Sequence, residues 1–212
     1  MQRRSYHQAC PLARALDTVG ERWTLLIVRE LLLGPLRYGE IRDRLSGIGT
    51  NLLADRLKSM AKLGLVKKQA AGGGHRWSLT EAGHGLESVI LAMIRWAMKT
   101  RLPSRPGEQS RTEWDLVAMK ALFVPDESRQ SDGRYQLLLN GFPAVLVVSD
   151  GHLRMRAGRE DQPDATIEMD SVTGWQLATG TLSRARAIRE QRLHIGGDTA
   201  AAERLLDRFR QT

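Results

Sequence analysis

Residues 37–80, RYGEIRDRLSGIGTNLLADRLKSMAKLGLVKKQAAGGGHRWSLT, constrain the fold of this chain more than any other stretch. Ile41 and Leu45 lie four apart, and Leu53, Leu57 and Met60 continue that spacing, so two successive helices each carry an inward stripe. Between them Ser46-Gly47-Ile48-Gly49 reads as a turn in which Ile48 plugs the corner and Thr50 caps the second helix. Gly64 stops that helix, as a glycine just past a helix end does. From Leu65 the period drops to two: Leu65-Val66-Lys67-Lys68, a tip at Gly72-Gly73-Gly74, and a return over His75-Arg76-Trp77-Ser78-Leu79, which is the pattern of a hairpin.

Helix, turn, helix and basic hairpin in that order make a winged helix-turn-helix, a unit that usually reads DNA. Its second helix turns Asn51, Asp55, Lys58 and Lys62 away from the apolar stripe. In a major groove Asn suits adenine and Lys suits guanine, so Asn51, Asp55 and Lys58 are the candidate base-reading residues. Arg42 and Lys62 are placed for phosphates, while Lys67, Lys68 and Arg76 lend charge to the wing. Arg56 has two readings, a DNA contact or a surface ion pair. The glycine tip makes the wing mobile, so selectivity is expected from the helix.

Geometry of this kind also occurs in proteins that never touch DNA, and the charge distribution favours the DNA reading. Residues 1–101 hold 17 Lys and Arg against 8 Asp and Glu, a net +9, whereas residues 102–212 hold 15 against 16. The whole basic excess therefore sits in the half with the helix-turn-helix, as expected if that half meets a polyanion. A single cysteine, Cys10, rules out an intrachain disulfide, and no Cys/His spacing suits zinc. The start lacks the apolar segment of a secretion signal, and the longest apolar tract, residues 88–98, is interrupted by Arg95 and too short for a bilayer. A cytoplasmic protein without membrane contact is expected. Scattered Asp, Glu and His residues offer no catalytic constellation, so neither an enzyme nor a cofactor is expected.

Upstream, Pro11 opens a helix with Leu12, Leu16 and Val19 inward, ended by Gly20; residues 21–33 form a second helix buried nearly all round, broken by Gly34-Pro35. Downstream, Thr80 caps a long helix over residues 81–101 with two apolar stripes, one on Leu86, Val89, Ile90, Met93 and Ala97, the other on Leu91, Ile94, Trp96 and Met98. Two stripes need two partners: the domain's own core, and either a second subunit or the C-terminal domain. Cys10-Pro11-Leu12, Gly20-Glu21-Arg22-Trp23-Thr24, Arg29-Glu30-Leu31, Arg37-Tyr38-Gly39-Glu40-Ile41, Leu52-Leu53-Ala54-Asp55-Arg56-Leu57, Gly64-Leu65-Val66 and Ser78-Leu79-Thr80-Glu81-Ala82-Gly83 resemble, in order and spacing, the HxlR-type winged-helix regulators over residues 8–100. The resemblance implies a homodimer that binds double-stranded DNA and regulates transcription. It also gives Cys10 two readings. One is a thiol switch, favoured by a helix N-terminus and by Arg3, Arg4, His7 and Arg14 nearby in sequence. The other is a small residue filling the helix start. Where this family often has a proline at the wing tip, the chain has three glycines.

Residues 102–112, rich in Pro and Gly, read as a linker. Beyond it a helix over residues 113–123 precedes strands at 135–139, 144–148, 153–156 and 165–169, helices at 171–178 and 182–190, a short strand at 193–195 and a last helix at 199–209. A meander followed by helices is an α+β arrangement. Asp170-Ser171, Gly180 and Leu193-His194-Ile195-Gly196-Gly197-Asp198 resemble the sterol-carrier-protein-like fold. That resemblance implies an apolar tunnel for a hydrophobic small-molecule or lipid effector, with Leu146, Val148, Met155, Trp175 and Leu177 as candidate lining. The expected whole is an α+β chain of two domains, a winged helix-turn-helix over residues 1–101 and a sterol-carrier-protein-like α+β sandwich over residues 113–212. The competing reading is a lipid carrier or scaffold whose winged helix serves protein contacts.

Overall fold

The computed structural model describes residues 5–103, 105–125 and 127–210, which divide into two compact units, residues 1–90 and 91–212. In the first unit α1 (Pro11–Val19) and α2 (Thr24–Leu31) precede α3 (Tyr38–Arg44) and α4 (Thr50–Lys62), and the hairpin of β1 (Val66–Ala70) and β2 (His75–Leu79) follows. Its core is made by the stripes expected of α3 and α4: Ile41, Leu53, Leu57 and Met60 are buried, together with Ile27, Val28 and Leu31 of α2. Each such side chain contributes about 1.5–3 kcal/mol on leaving water. Ile48 is buried in the α3–α4 turn, where Gly47 takes φ +95°, and Gly64 ends α4 at φ +69°, both in the left-handed region that favours glycine.

Four local expectations are corrected. Leu12 and Leu16 are 67% and 41% exposed, and α1 faces the core through Ala13, whose small side chain allows close approach. The second helix begins only at Thr24, because Trp23 takes φ +80°, and Leu26 of that helix is exposed. Thr50 is the first residue of α4 rather than its cap, a place held by Gly49 without a side-chain hydrogen bond. The long helix after the wing is broken into α5 (Glu81–His84) and α6 (Glu87–Thr100). Thr80 does cap α5, its hydroxyl accepting from Gly83 N at 3.1 Å. Of the stripes on α6 only Ile90 is buried, and Val89, Met93 and Trp96 remain exposed at helical spacing on one face.

The second unit holds α7 (Thr112–Leu122), then β3 (Gly133–Leu139), β4 (Phe142–Ser149), β5 (His152–Ala157), β6 (Ala165–Met169), α8 (Ser171–Ala178), α9 (Arg184–Arg189), β7 (Leu193–Gly197) and α10 (Thr199–Leu206). The strands form one sheet in the order β5-β4-β3-β6-β7. Only β3, β4 and β5 form a meander; β6 crosses over and pairs in parallel with β3, with Leu137 opposite Ile167. The crossing segment, residues 158–164, is held by the buried Gln136, whose amide donates to Ala144 O at 3.0 Å while its Oε1 accepts from Glu160 N at 2.8 Å. Alternate residues of the strands are buried, among them Tyr135, Leu137, Leu139, Leu146, Ile167 and Met169. Gly174 of α8 lies against Met119 and Met169, where a Cβ would meet both at 3.6 Å.

Asp170 caps α8 by accepting from Thr173 N at 2.6 Å, and this hydrogen bond holds its carboxyl below the ordinary aspartate value. Asp170→Ala is expected to cost about 1 kcal/mol at neutral pH. A carboxyl whose pKa is lowered by folding stabilises the protein above its unfolded value and loses that effect as it is protonated. Urea denaturation across pH should therefore show a constant gap between wild type and variant down to about pH 4, closing as pH falls through the lowered folded value. No helix among the described residues is long and apolar enough to cross a membrane.

Candidate nucleic-acid interface

Three ties set the geometry of α3, α4 and the hairpin. Tyr38 Oη donates to Thr50 O at 2.7 Å, joining the starts of α3 and α4. Arg37 Nη2 donates to Gly72 O at 3.1 Å, joining the start of α3 to the wing tip. Leu36 and Trp77 exchange backbone hydrogen bonds, adding a third short strand segment beside β2. The wing tip itself closes between Ala71 and Gly74, with Gly72 and Gly73 at positive φ. Against this frame α4 turns Asn51, Asp55, Lys58 and Lys62 outward, and all four are exposed.

Lys67 and Lys68 are exposed on β1, opposite Ser78 and Trp77. Arg42 is exposed at the end of α3, with Nε and Nη2 on the Asp43 carboxylate. Two further cations expected at the interface are occupied within the protein. Arg56 is only 15% exposed and donates through Nη2 to Glu21 at 3.0 Å, so of its two readings the geometry favours the ion pair. Arg76 donates to Pro35 O at 3.0 Å and faces Glu40 at 3.5 Å, which makes it a brace between hairpin and α3 instead of a projecting wing cation.

Arg37, Tyr38 and Trp77, none of them a site candidate from sequence, line with the wing residues Lys68 and His75 and with Lys58 an open groove of about 450 Å³ between α3, α4 and the hairpin. The signal available was the run Arg37-Tyr38 at the start of α3, which carries part of the resemblance to the HxlR-type regulators. A groove with cations at its edges and Tyr and Trp within it suits a phosphate backbone beside an inserted helix. Cys10 is exposed and free at the cap position of α1; of the cations cited for it, Arg3 and Arg4 lie outside the described residues.

Of the five candidate lining residues in the second unit, Trp175 lines the open pocket beside α8, and the other four lie elsewhere in the sheet and helix among the described residues. Leu146, Val148 and Met155 belong to the packed face of the sheet, Leu146 beside Met155 in register, and Leu177 is half-buried. Trp175, 40% exposed, lines an open pocket of about 320 Å³ with Val172, Ala118 and Met119. At its polar end Ser171 Oγ donates to Asp115 at 2.7 Å and accepts from Asn140 Nδ2 at 2.7 Å. No group of three or more His, Cys, Asp or Glu among the described residues could hold a metal ion.

Two family models and several known proteins match this chain in part. Residues 18–104 match the HxlR-like helix-turn-helix family, and residues 123–209 match the SCP-2 sterol transfer family. An HTH-type transcriptional regulator of Mycobacterium tuberculosis is 40% identical over 88 residues, covering 40% of this chain and 55% of the relative, so the chain spans about half of that protein's length. YvaP of Bacillus subtilis is 32% identical over 101 residues, 46% of this chain and 94% of YvaP. YodB, also of Bacillus subtilis and named an HTH-type transcriptional regulator, is 34% identical over 92 residues, 42% of this chain and 82% of YodB. A crystal structure of quinone-bound YodB aligns over 42% of this chain and 99% of that one at 34% identity, with a TM-score of 0.39. From the helix-turn-helix with its basic hairpin, and from relatives matched over most of their length, the chain belongs to the HxlR-like helix-turn-helix family and carries an SCP-2 sterol transfer domain behind it.

Proposed function

We propose that this protein is a DNA-binding transcriptional regulator that acts as a cytoplasmic homodimer on a pseudo-palindromic operator and is controlled by a hydrophobic ligand in its C-terminal domain. The observation that carries the reading is the outward face of α4, with Asn51, Asp55, Lys58 and Lys62 exposed in a half of the chain that holds its entire basic excess. Lys67 and Lys68 on the wing, with Arg37 and His75 in the adjoining groove, supply phosphate contacts. Dimerisation is supported by the exposed Val89, Met93 and Trp96 of α6, an apolar face of the kind that marks an interaction site. We place the domain limits at residues 1–101 and 113–212, with residues 102–112 as the linker.

For the C-terminal domain the ligand is expected at the Trp175 pocket, whose apolar wall and polar end suit an amphipathic lipid. An effector shifts DNA affinity only through different affinities for two arrangements of the protein. Titration of labelled duplex DNA at several salt concentrations tests the proposal. Log affinity should fall linearly with log salt, with a slope of about −0.9 for each phosphate neutralised. Binding that ignores salt would support a scaffold instead. Fatty acids or sterols should raise the melting temperature of wild type more than that of Trp175→Ala, and no shift in either would remove the ligand from the proposal. Comparing the effect of an oxidant on DNA affinity in wild type and Cys10→Ser decides between the two readings of that cysteine.

A further inference from the structure

A recess of about 300 Å³ lies between the end of α1, the start of α2 and one flank of α4. Leu52, Met60 and Leu63 give it an apolar wall, and Thr24, Glu21 and Arg56 a polar one. Two polar atoms of that wall are buried with no hydrogen-bond partner among the described residues: Thr24 Oγ1, on a residue only 1% exposed, and Arg56 Nε. Buried donors left unmet cost stability, so each one in a folded protein calls for an explanation.

The arginine shows what is missing. Elsewhere in this chain Arg29 and Arg42 present Nε and Nη2, one edge of the guanidinium, together to a single carboxylate. Arg56 engages Glu21 through Nη2 alone, so its carboxylate-binding edge is half used. The Glu21 side chain is 45% exposed, while Asp17, the other carboxylate at the α1 side, already accepts from Ser5 Oγ and Tyr6 N. Lys58 and Lys62 add positive charge at the α4 side, against Asp55.

We propose that this recess binds a small monocarboxylate with an apolar body, its carboxylate taking the Nε/Nη2 edge of Arg56 and a hydrogen bond from Thr24 Oγ1 in place of Glu21. The fork geometry of Arg suits two parallel bonds to a carboxylate, and the apolar wall receives the rest of the molecule. The Glu21–Arg56 pair ties α4 to the connection between α1 and α2, so a ligand that replaces it favours a different setting of α4. Only this consequence for DNA affinity rests on α4 as the reading helix; the carboxylate contacts, Arg56 and Thr24, do not, although Asp55, Lys58 and Lys62 of the outward face of α4 also line the recess.

Isothermal titration of the whole chain with sodium benzoate tests the site, with neutral benzamide as the second arm. Benzoate should bind and benzamide should bind at least about tenfold more weakly. Arg56→Lys keeps the charge but loses the edge, and Thr24→Val keeps the shape but loses the hydroxyl; each should weaken benzoate about tenfold. Glu21→Gln removes the charged competitor and should strengthen it, a sign that a merely structural role for the pair does not give. Circular dichroism checks that every variant is folded, and Arg56→Lys with Glu21→Gln suffice if Thr24→Val is not. No heat at millimolar benzoate, equal binding of benzamide, unchanged binding in Arg56→Lys, or weaker binding in Glu21→Gln would each overturn the proposal. Benzoate binding that leaves DNA affinity unchanged would sink the coupling to α4.

Discussion

Gly83→Ala is expected to melt the N-terminal unit far below wild type. A Cβ at Gly83 would sit 2.0 Å from the Leu65 carbonyl oxygen, 3.1 Å from its carbon and 3.2 Å from Leu79 Cδ2. The nearest obstacle, at 2.0 Å, is backbone and cannot move aside as the Leu79 side chain could. That same carbonyl accepts from Thr80 N at 3.1 Å, while the Thr80 hydroxyl donates to Gly64 O, so the end of α4, the return of the hairpin and the start of α5 meet here. Overpacking against fixed atoms at such a junction costs about 3 kcal/mol, which lowers Tm by roughly 12 °C or more in a domain of this size. Gly39→Ala is the control, because a Cβ there meets nothing within 4 Å and α3 gains a better helix former. Thermal melts followed by circular dichroism should order the proteins as Gly39→Ala at or above wild type and Gly83→Ala well beneath both. A Gly83→Ala melt within a degree or so of wild type would mean the junction is looser than described.

Asn51→Ala and Lys58→Ala are expected to remove selectivity while leaving the protein folded, since both side chains are exposed on α4 and neither contributes to the core. A well-formed contact to a base edge discriminates by about 1–3 kcal/mol, so each variant should lose roughly tenfold or more in the ratio of specific to non-specific affinity. Lys67→Ala gives the contrast: an exposed wing lysine directed at phosphates should weaken every sequence alike and reduce the salt slope by about one. Competition mobility-shift titrations against unrelated DNA measure both quantities. If affinity and selectivity are unchanged in the two α4 variants, this helix is not the reader.

The parts of the molecule that sequence made legible are those fixed by local periodicity. Leu53, Leu57 and Met60 define a buried face, and alternation over residues 65–79 with a glycine tip defines a hairpin, without help from distant residues. What stayed hidden depends on partners far along the chain. The spacing of Leu12 and Leu16 says that they share a face, but not that Ala13 is the side turned inward. The break between α5 and α6 falls at Gly85 and Leu86, and the parallel pairing of β6 with β3 goes with a crossing segment pinned by Gln136, 24 positions from Glu160.

The candidate site divides in the same way. The outward residues of α4 follow from helix geometry alone. The engagement of Arg56 by Glu21, 35 positions away, and of Arg76 by the carbonyl of Pro35, 41 positions away, does not. Arg37 escaped notice for the same reason, its partner being the wing tip. In the second unit Leu146, Val148 and Met155 have the alternation of lining residues and of plain core alike, and all three are buried on the inner face of the sheet.

The central claim is that α4 reads DNA on behalf of a two-fold regulator. Sequencing of genomic fragments retained by the purified whole chain, beside the Asn51→Ala/Lys58→Ala double variant, tests it most directly. Wild type should enrich fragments sharing a pseudo-palindrome with half-sites about one helical turn apart, and the double variant should not. No enrichment by wild type, or the same enrichment by both proteins, would contradict the claim.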